Sequence, residues 1–139
     1  MIVLDTNVLS EVMKVAPHPA VRAWLIGLQP ERVCITAVTE TELRYGAEIL
    51  PDGKRKTSLL KAIDSTITLA IGGGSVPFDR EAAEQFALIA AARRRSGSPP
   101  SLPDCQIAAI VRARNLVLAT GNIKDFTDCG IALLDPWKA

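Results

Sequence analysis

The side chains in this sequence best suited to chemistry are carboxylates. Asp5 closes the apolar run Ile2-Val3-Leu4. Glu42 lies in a helix-like stretch after a second apolar run, Val33-Cys34-Ile35, and Asp104 follows the Pro/Ser-rich segment Ser96 to Pro103. Asn122 and Asp125 come after a further apolar run, Leu116 to Ala119. Carboxylates gathered in one place repel and raise one another's pKa unless a cation neutralises them. Hard oxygen donors without imidazole or thiolate select magnesium, or manganese in its place, over zinc. Such an ion lowers the pKa of a bound water and stabilises charge developing on a phosphodiester, so metal-assisted phosphodiester hydrolysis is the expected chemistry. Thr6, Asn7 and Thr120 are suited to support it, because a neutral amide or hydroxyl holds a carboxylate or a water without adding charge.

Each acid also has an ordinary explanation. Asp5 and Asp104 are acceptable helix N-caps, where a carboxylate meets free N–H groups and the positive end of the helix dipole. Thr39 and Glu42 have capping-box spacing, with Glu42 at the third helical position. Asp125 suits a turn. Their common placement along the fold favours the chemical reading.

Composition narrows the field. The single histidine, His18, stands between Pro17 and Pro19 as an exposed helix-start residue, which leaves little for Ser-His-Asp, Cys-His or histidine-built zinc chemistry. Cys34, Cys105 and Cys129 are odd in number and lack CxxC spacing, so neither a disulfide framework nor a zinc site is expected, and a reducing cytoplasm is the simple setting. No apolar run approaches the ~20 residues of a membrane span, and the N-terminus lacks the pattern of a signal peptide. The net charge is only +1, from 16 basic and 15 acidic residues. Setting the pocket acids aside leaves the rest of the chain basic, with clusters at Lys54-Arg55-Lys56 and Arg93-Arg94-Arg95 read as solvated helix faces and ends.

The elements that must position these groups alternate. Strands are expected at Ile2–Leu4, Val33–Ile35, Val76–Phe78, Leu116–Ala119 and Ile131–Leu134. Helices are expected from about Val8, over Pro19–Leu28, Val38–Leu50 and Thr57–Ile67, from Asp79 to the arginines, and from Asp104 to Arg114. Gly72-Gly73-Gly74 is not a phosphate loop, since no GK[ST] follows it. Five short apolar strands separated by helices imply an α/β domain, residues 1–139, with a parallel sheet covered by helices on both faces. Sites in such sheets lie beyond the carboxyl ends of the strands, where Asp5, Glu42, Asp104, Thr120, Asn122 and Asp125 can all converge. Glu42 shares a helix face with Val38 and Tyr45.

Four stretches also carry a resemblance. Met1 to Ser10 (MIVLDTNVLS) and Thr39 to Gly46 (TETELRYG) resemble the first two motifs of PIN-domain ribonucleases. Pro103 to Ala109 (PDCQIAA) resembles the third, and Leu118 to Phe126 (LATGNIKDF) with Asp135-Pro136-Trp137 the fourth and the C-terminus. The likeness runs end to end and is similar to the VapC branch, the toxins of bacterial toxin–antitoxin pairs. It implies a magnesium-dependent endoribonuclease, with manganese able to substitute, held inactive by a VapB-like antitoxin. Asp5 and Asp104 match the principal metal ligands and Glu42 the third essential acid. Asn122 stands at the fourth acidic position, with Asp125 available to supply the charge. Gly121 stands where an arginine is frequent, and Cys105 where a small residue is usual. A homodimer burying part of the Val38–Leu50 helix and the next one is also expected. Two other readings stay open. One is a phosphomonoester hydrolase with Asp5 as nucleophile, whose chemistry wants a second aspartate where Asn7 stands. The other is a non-catalytic binding module, either a PIN-like scaffold or a phospho-receiver, the latter wanting paired early acids and a lysine in a setting that Lys138 does not match.

Overall fold

Short β-branched runs alternate with amphipathic segments, and the chain folds accordingly. The computed structural model describes residues 1–139, apart from the side chain of Ala70. In chain order the elements are β1 (Ile2–Leu4), α1 (Thr6–Val12), α2 (Pro19–Ile26), β2 (Val33–Thr36), α3 (Ala37–Glu48) and α4 (Lys54–Ser65). These are followed by β3 (Ser75–Val76), α5 (Arg80–Arg95), α6 (Leu102–Ala113), β4 (Val117–Ala119), α7 (Ile123–Phe126) and β5 (Ala132–Leu134). A π-helical turn (Thr66–Ala70) extends α4, and short 3-10 turns cover Pro30–Arg32 and Pro136–Lys138.

The five strands form one parallel sheet, as expected, and their order is β3-β2-β1-β4-β5. Successive side chains of a strand point to opposite faces, and here both faces are covered. Val3, Cys34 and Leu118 pack with Ile89 of α5 and Ile107 and Ile110 of α6. Leu4, Ile35 and Ala119 pack on the other side with Val8 and Leu9 of α1 and Val21 of α2. Burial on both faces explains why the strands read as unbroken apolar runs. Among the described residues no helix is long and apolar enough to cross a membrane.

Several boundaries differ from expectation for local reasons. Strand β3 stops at Val76, because Pro77 has no N–H to continue the ladder. Helix α1 begins at Thr6, capped by the Asp5 side chain. Helix α3 begins at Ala37 with Thr36 as its N-cap, so Thr39 takes the third helical position and Glu42 moves into the second turn. Helix α6 begins at Leu102 under a Ser101 cap, which makes Asp104 its third residue rather than its opener. Helix α4 begins at Lys54, and Lys56 pairs with Glu48 and Asp52. Arg93 is buried rather than solvated, unlike its neighbours Arg94 and Arg95.

Of the three consecutive glycines, Gly72 and Gly73 serve close packing, while Gly74 adopts φ +70° with open space around it. Gly72 and Gly73 donate to the carbonyls of Pro30 (2.9 Å) and Val33 (2.8 Å), and the Gly74 carbonyl accepts from Ile35 at 3.0 Å. A Cβ at Gly73 would lie 2.6 Å from the Val33 carbonyl oxygen, whereas one at Gly46, within α3, would meet nothing within 4 Å. Gly73→Ala should therefore destabilise the protein by about 1–3 kcal/mol through overpacking. Gly46→Ala should stabilise it by about 0.5–1 kcal/mol by removing chain entropy from the unfolded state. Urea unfolding of both variants checks the opposite signs, with the slope m unchanged.

Candidate active site

Parallel register sets the floor of the site. Leu4 pairs with Ala119 and Ala119 with Leu134, so the next residues of β1 and β4, Asp5 and Thr120, emerge side by side at the carboxyl edge. The Asp5 N–H donates to the Ala119 carbonyl (2.9 Å) and the Thr120 N–H to that of Leu134 (2.9 Å), extending the ladder by one step.

Asp5 is only 4% exposed, and three donors hold its carboxylate. The Thr6 N–H donates to Oδ1 at 2.8 Å, while Asn7 Nδ2 and Thr120 Oγ1 each donate to Oδ2 at 2.8 Å. Asn7 is oriented by its other end, since its Oδ1 accepts from the Gly121 N–H at 3.0 Å. Thr120 Oγ1 in turn accepts from the Asn122 N–H at 3.0 Å. An ionised carboxylate offers about four lone-pair positions, so Oδ1, with one hydrogen bond, retains capacity for a further ligand.

Glu42 reaches this cluster through hydroxyls. Thr6 Oγ1 lies 2.8 Å from Glu42 Oε1 and 3.1 Å from Thr39 Oγ1, and Thr36 Oγ1 lies 3.4 Å from Thr39 Oγ1. Each hydroxyl carries one proton, and the carboxylate accepts at the end of the chain. The protons therefore run Thr36 to Thr39 to Thr6 to Glu42, and Thr36 Oγ1 accepts the Thr39 N–H at 3.1 Å. Thr39, which has capping-box spacing with Glu42, instead serves this relay.

Asp104 occupies the first turn of α6, half-buried, with its N–H on the Ser101 hydroxyl (3.3 Å). Burial pushes the Asp5 carboxyl above the usual carboxylate range. Its bonds from Thr120 and Thr6 pull it back, and the charges of Asp104 and Glu42 raise it further. Asp104 is likewise raised, first by burial and then by Asp125 and Glu42, against a lowering from Ser101 and Arg93. Asp5 thus feels the charges of Asp104 and Glu42, and Asp104 those of Asp125 and Glu42. They do not close into a cage: among the described residues no three His, Cys, Asp or Glu side chains form a group compact enough to hold an ion on their own. Glu42 and Asp125 stand toward solvent, and Asn122 precedes α7 without a side-chain cap bond.

A cleft of about 390 Å³ opens beside Glu42 and Thr6, walled by Met13, Leu43, Leu59 and Ile63. A second hollow of about 370 Å³ is lined by Gly121, Asn122, Asp125, Lys124 and Lys138. Gly121 has no room for a side chain, because a Cβ there would lie 2.7 Å from Cζ3 of Trp137. The sequence reading missed the hydroxyl relay, the Ser101 cap and the buried Arg93. The first two had a signal in the Thr36-x-x-Thr39 and Ser101-x-x-Asp104 spacings.

The raised Asp5 carboxyl has a consequence for stability. A group that binds its proton more readily when folded opposes folding while charged, and that opposition disappears as pH falls through its raised pKa. Asp5→Asn removes it at every pH. In the presence of a chelator, the melting temperature of Asp5→Asn relative to wild type should therefore be greatest near pH 7 and decline toward about pH 4, where the ordinary carboxylate range begins. A difference constant over that interval would contradict an environment hostile to the Asp5 charge.

Comparison with known proteins places this geometry in a family. Residues 2–129 match the PIN domain. The chain is 36% identical to the VapC ribonuclease Y4jK of Sinorhizobium fredii, over 99% of each chain. The structure of FitAcB from Neisseria gonorrhoeae superposes with a TM-score of 0.91 at 34% identity, covering 100% of both chains. VapBC-5 from Mycobacterium tuberculosis, a member of the VapBC family of toxin–antitoxin systems, superposes with a TM-score of 0.70 at 26% identity over 96% of each chain. The resemblance carried by the four sequence motifs is borne out across the whole fold, and the chain belongs to the PIN-domain family, with VapC ribonucleases among its homologues.

Proposed function

We propose that this chain is a magnesium-dependent endoribonuclease and the toxin half of a toxin–antitoxin pair acting in the cytoplasm. The observation that carries the reading is the buried Asp5 carboxylate, held at the sheet edge in the field of Asp104 and Glu42. The names of its relatives, a ribonuclease and a toxin–antitoxin family member, support it.

The donor set fits a hard divalent cation. It offers carboxylate oxygens only, their charges oppose one another, and Asp5 Oδ1 retains acceptor capacity. The open arrangement also suits magnesium, which is commonly held by one or two carboxylates and keeps several waters. Asp5 and Asp104 would hold the ion, with manganese able to substitute. When bound, such an ion lowers the pKa of a water and stabilises charge on the phosphodiester. Glu42, its oxygen fixed by Thr6, orients the attacking water. Asn7 and Thr120 keep Asp5 in place, and Asn122 and Asp125 complete the polar rim. A phosphomonoester hydrolase with Asp5 as nucleophile is disfavoured, because Asn7 stands where its general acid is needed and donates to Asp5 instead.

Asp5→Asn and Asp104→Asn should each reduce RNA cleavage by more than the roughly 10–100-fold that loss of an outer-shell partner costs a metal site. Chelation should stop the wild type, and manganese should restore it. Magnesium at ten times its dissociation constant should stabilise the folded wild type by about 1.4 kcal/mol, a shift of a few degrees. Asp104→Asn keeps the Ser101 cap and loses a repelling charge, so its metal-free form should melt no lower than wild type while losing most of the magnesium shift. Undiminished cleavage by either purified variant, or no magnesium shift in wild type, would overturn the reading.

Two partners belong to it besides RNA. An antitoxin would present a basic side chain, preferably arginine, to the acids, since a bidentate guanidinium neutralises carboxylates that otherwise need a cation. A second copy of the chain would cover part of α3 and α4, beside Tyr45 of α3 and its C-cap Ile49, which are 67% and 64% exposed. Sedimentation should find a dimer at micromolar concentration, and Ile49→Arg should shift it to monomer. A monomeric wild type would remove the dimer and leave the nuclease reading standing.

A further inference from the structure

Arg93 is the only buried cation among the described residues, at 7% exposure. It lies in the last turn of α5, beside the exposed Arg94 and Arg95. Burying a guanidinium is costly unless its donors are satisfied, and here three of its nitrogens are engaged. Nε donates to the Ser98 carbonyl at 2.8 Å and Nη2 lies 3.4 Å from Ser98 Oγ. Nη1 donates to the Asp125 carbonyl at 3.1 Å and faces Cys129 Sγ at 3.4 Å. The Arg93 carbonyl also accepts the Ser98 N–H at 2.9 Å, across a helix end turned by Gly97 at φ +80°. Ser98 is thus held by Arg93 through both its backbone polar groups.

The two segments in this grip are those that deliver the acidic site. Ser98 lies three residues before Ser101, the cap of α6, which carries Asp104 in its first turn. Asp125 belongs to the four-residue α7, which follows Asn122. A helix that short leaves its carbonyls without intrahelical donors, and the guanidinium supplies one. The planar fork of arginine can span two acceptors at fixed separation, which an ammonium cannot.

We propose that Arg93 is a positioning residue for the acidic site. By joining Ser98 to the Asp125 carbonyl, it fixes the α6 start carrying Asp104 relative to the α7 turn carrying Asn122 and Asp125. The assignment rests on the nuclease reading above, because it gives that spacing its purpose.

The test compares wild type with Arg93→Lys, which keeps charge and most of the packing but cannot span both acceptors, and with Arg93→Gln. Ile89→Val, on the same helix and packed into the core, serves as a control for general destabilisation. Amide hydrogen exchange on metal-free protein should show the bonded amides of Gly97, Ser98 and Asp104 and those of residues 122–128 losing protection together in Arg93→Lys, but not separately from the rest of the protein in Ile89→Val. The magnesium concentration giving half the thermal shift should rise roughly tenfold in Arg93→Lys, as for loss of an outer-shell partner, and stay unchanged in Ile89→Val. In RNA cleavage kcat should fall more than KM rises. If Arg93→Gln does not fold, Arg93→Lys decides. Wild-type exchange in both segments together with a wild-type magnesium midpoint in Arg93→Lys would overturn the proposal. Absence of any magnesium shift in the wild type would instead overturn the nuclease reading, and the exchange data would still decide whether Arg93 couples the two segments.

Discussion

A carboxylate held almost out of water at the end of a central strand governs much of what surrounds it. Moved from solvent without compensation, such a charge is strongly disfavoured, and it persists only where donors replace the lost hydration. Asp5 meets that requirement with one backbone N–H, one amide and one hydroxyl. Each donor implies a further constraint. The Thr120 hydroxyl must emerge from β4 level with Asp5, which the parallel register provides. The Asn7 amide must face inward with a fixed orientation, which the Gly121 N–H enforces. Two segments distant in sequence, residues 5–7 and 120–121, are thereby tied to one oxygen pair.

Helix ends complement this arrangement. The site edge receives the start of α1 at Asp5, of α6 with Asp104 in its first turn, and of α7 after Asn122. Free N–H groups and the positive dipole end of a helix favour negative charge within the first turn. Burial and mutual repulsion oppose that charge. The balance leaves acids that are anchored yet poorly compensated, and this is the electrostatic condition in which a cation gains most. The hydroxyl chain from Thr36 to Glu42 adds a neutral means of aiming an exposed carboxylate.

Much of this was legible in the sequence, for reasons tied to particular residues. Ile2-Val3-Leu4 and Val33-Cys34-Ile35 read as strands because both sheet faces are buried. Asp5 stood out because it ended one of them. The parallel sheet followed from the alternation of such runs with helical ones. Helix starts were less legible, since several residues in a row can cap. Thr36 and Thr39 are equally good by type, and only the length of β2 decides between them. The extent of β3 depended on the missing N–H of Pro77. Arg93 looked like Arg94 and Arg95 because composition does not resolve a helix face. Yet Ala82, Ile89 and Arg93 lie on the buried stripe of α5, a spacing of seven and four that marks Arg93 as inward-facing. Its partners, one backbone carbonyl from the α5–α6 loop and one from α7, have no signature in sequence. Nor does the open spacing of the acids, which side-chain types alone made look closer than it is.

The contact between Gly121 and Trp137 bears on how this site can change over generations. The indole ring lies where any Cβ at position 121 would go, so an arginine arriving there would have to push the ring aside. A smaller residue at 137 would relieve that contact but give up packing against the face built on Leu4 and Ala119. The two positions are therefore sterically coupled, so the cost of a side chain at 121 depends on what stands at 137. A basic group grafted at 121 should cost less stability where residue 137 is small than where the indole remains.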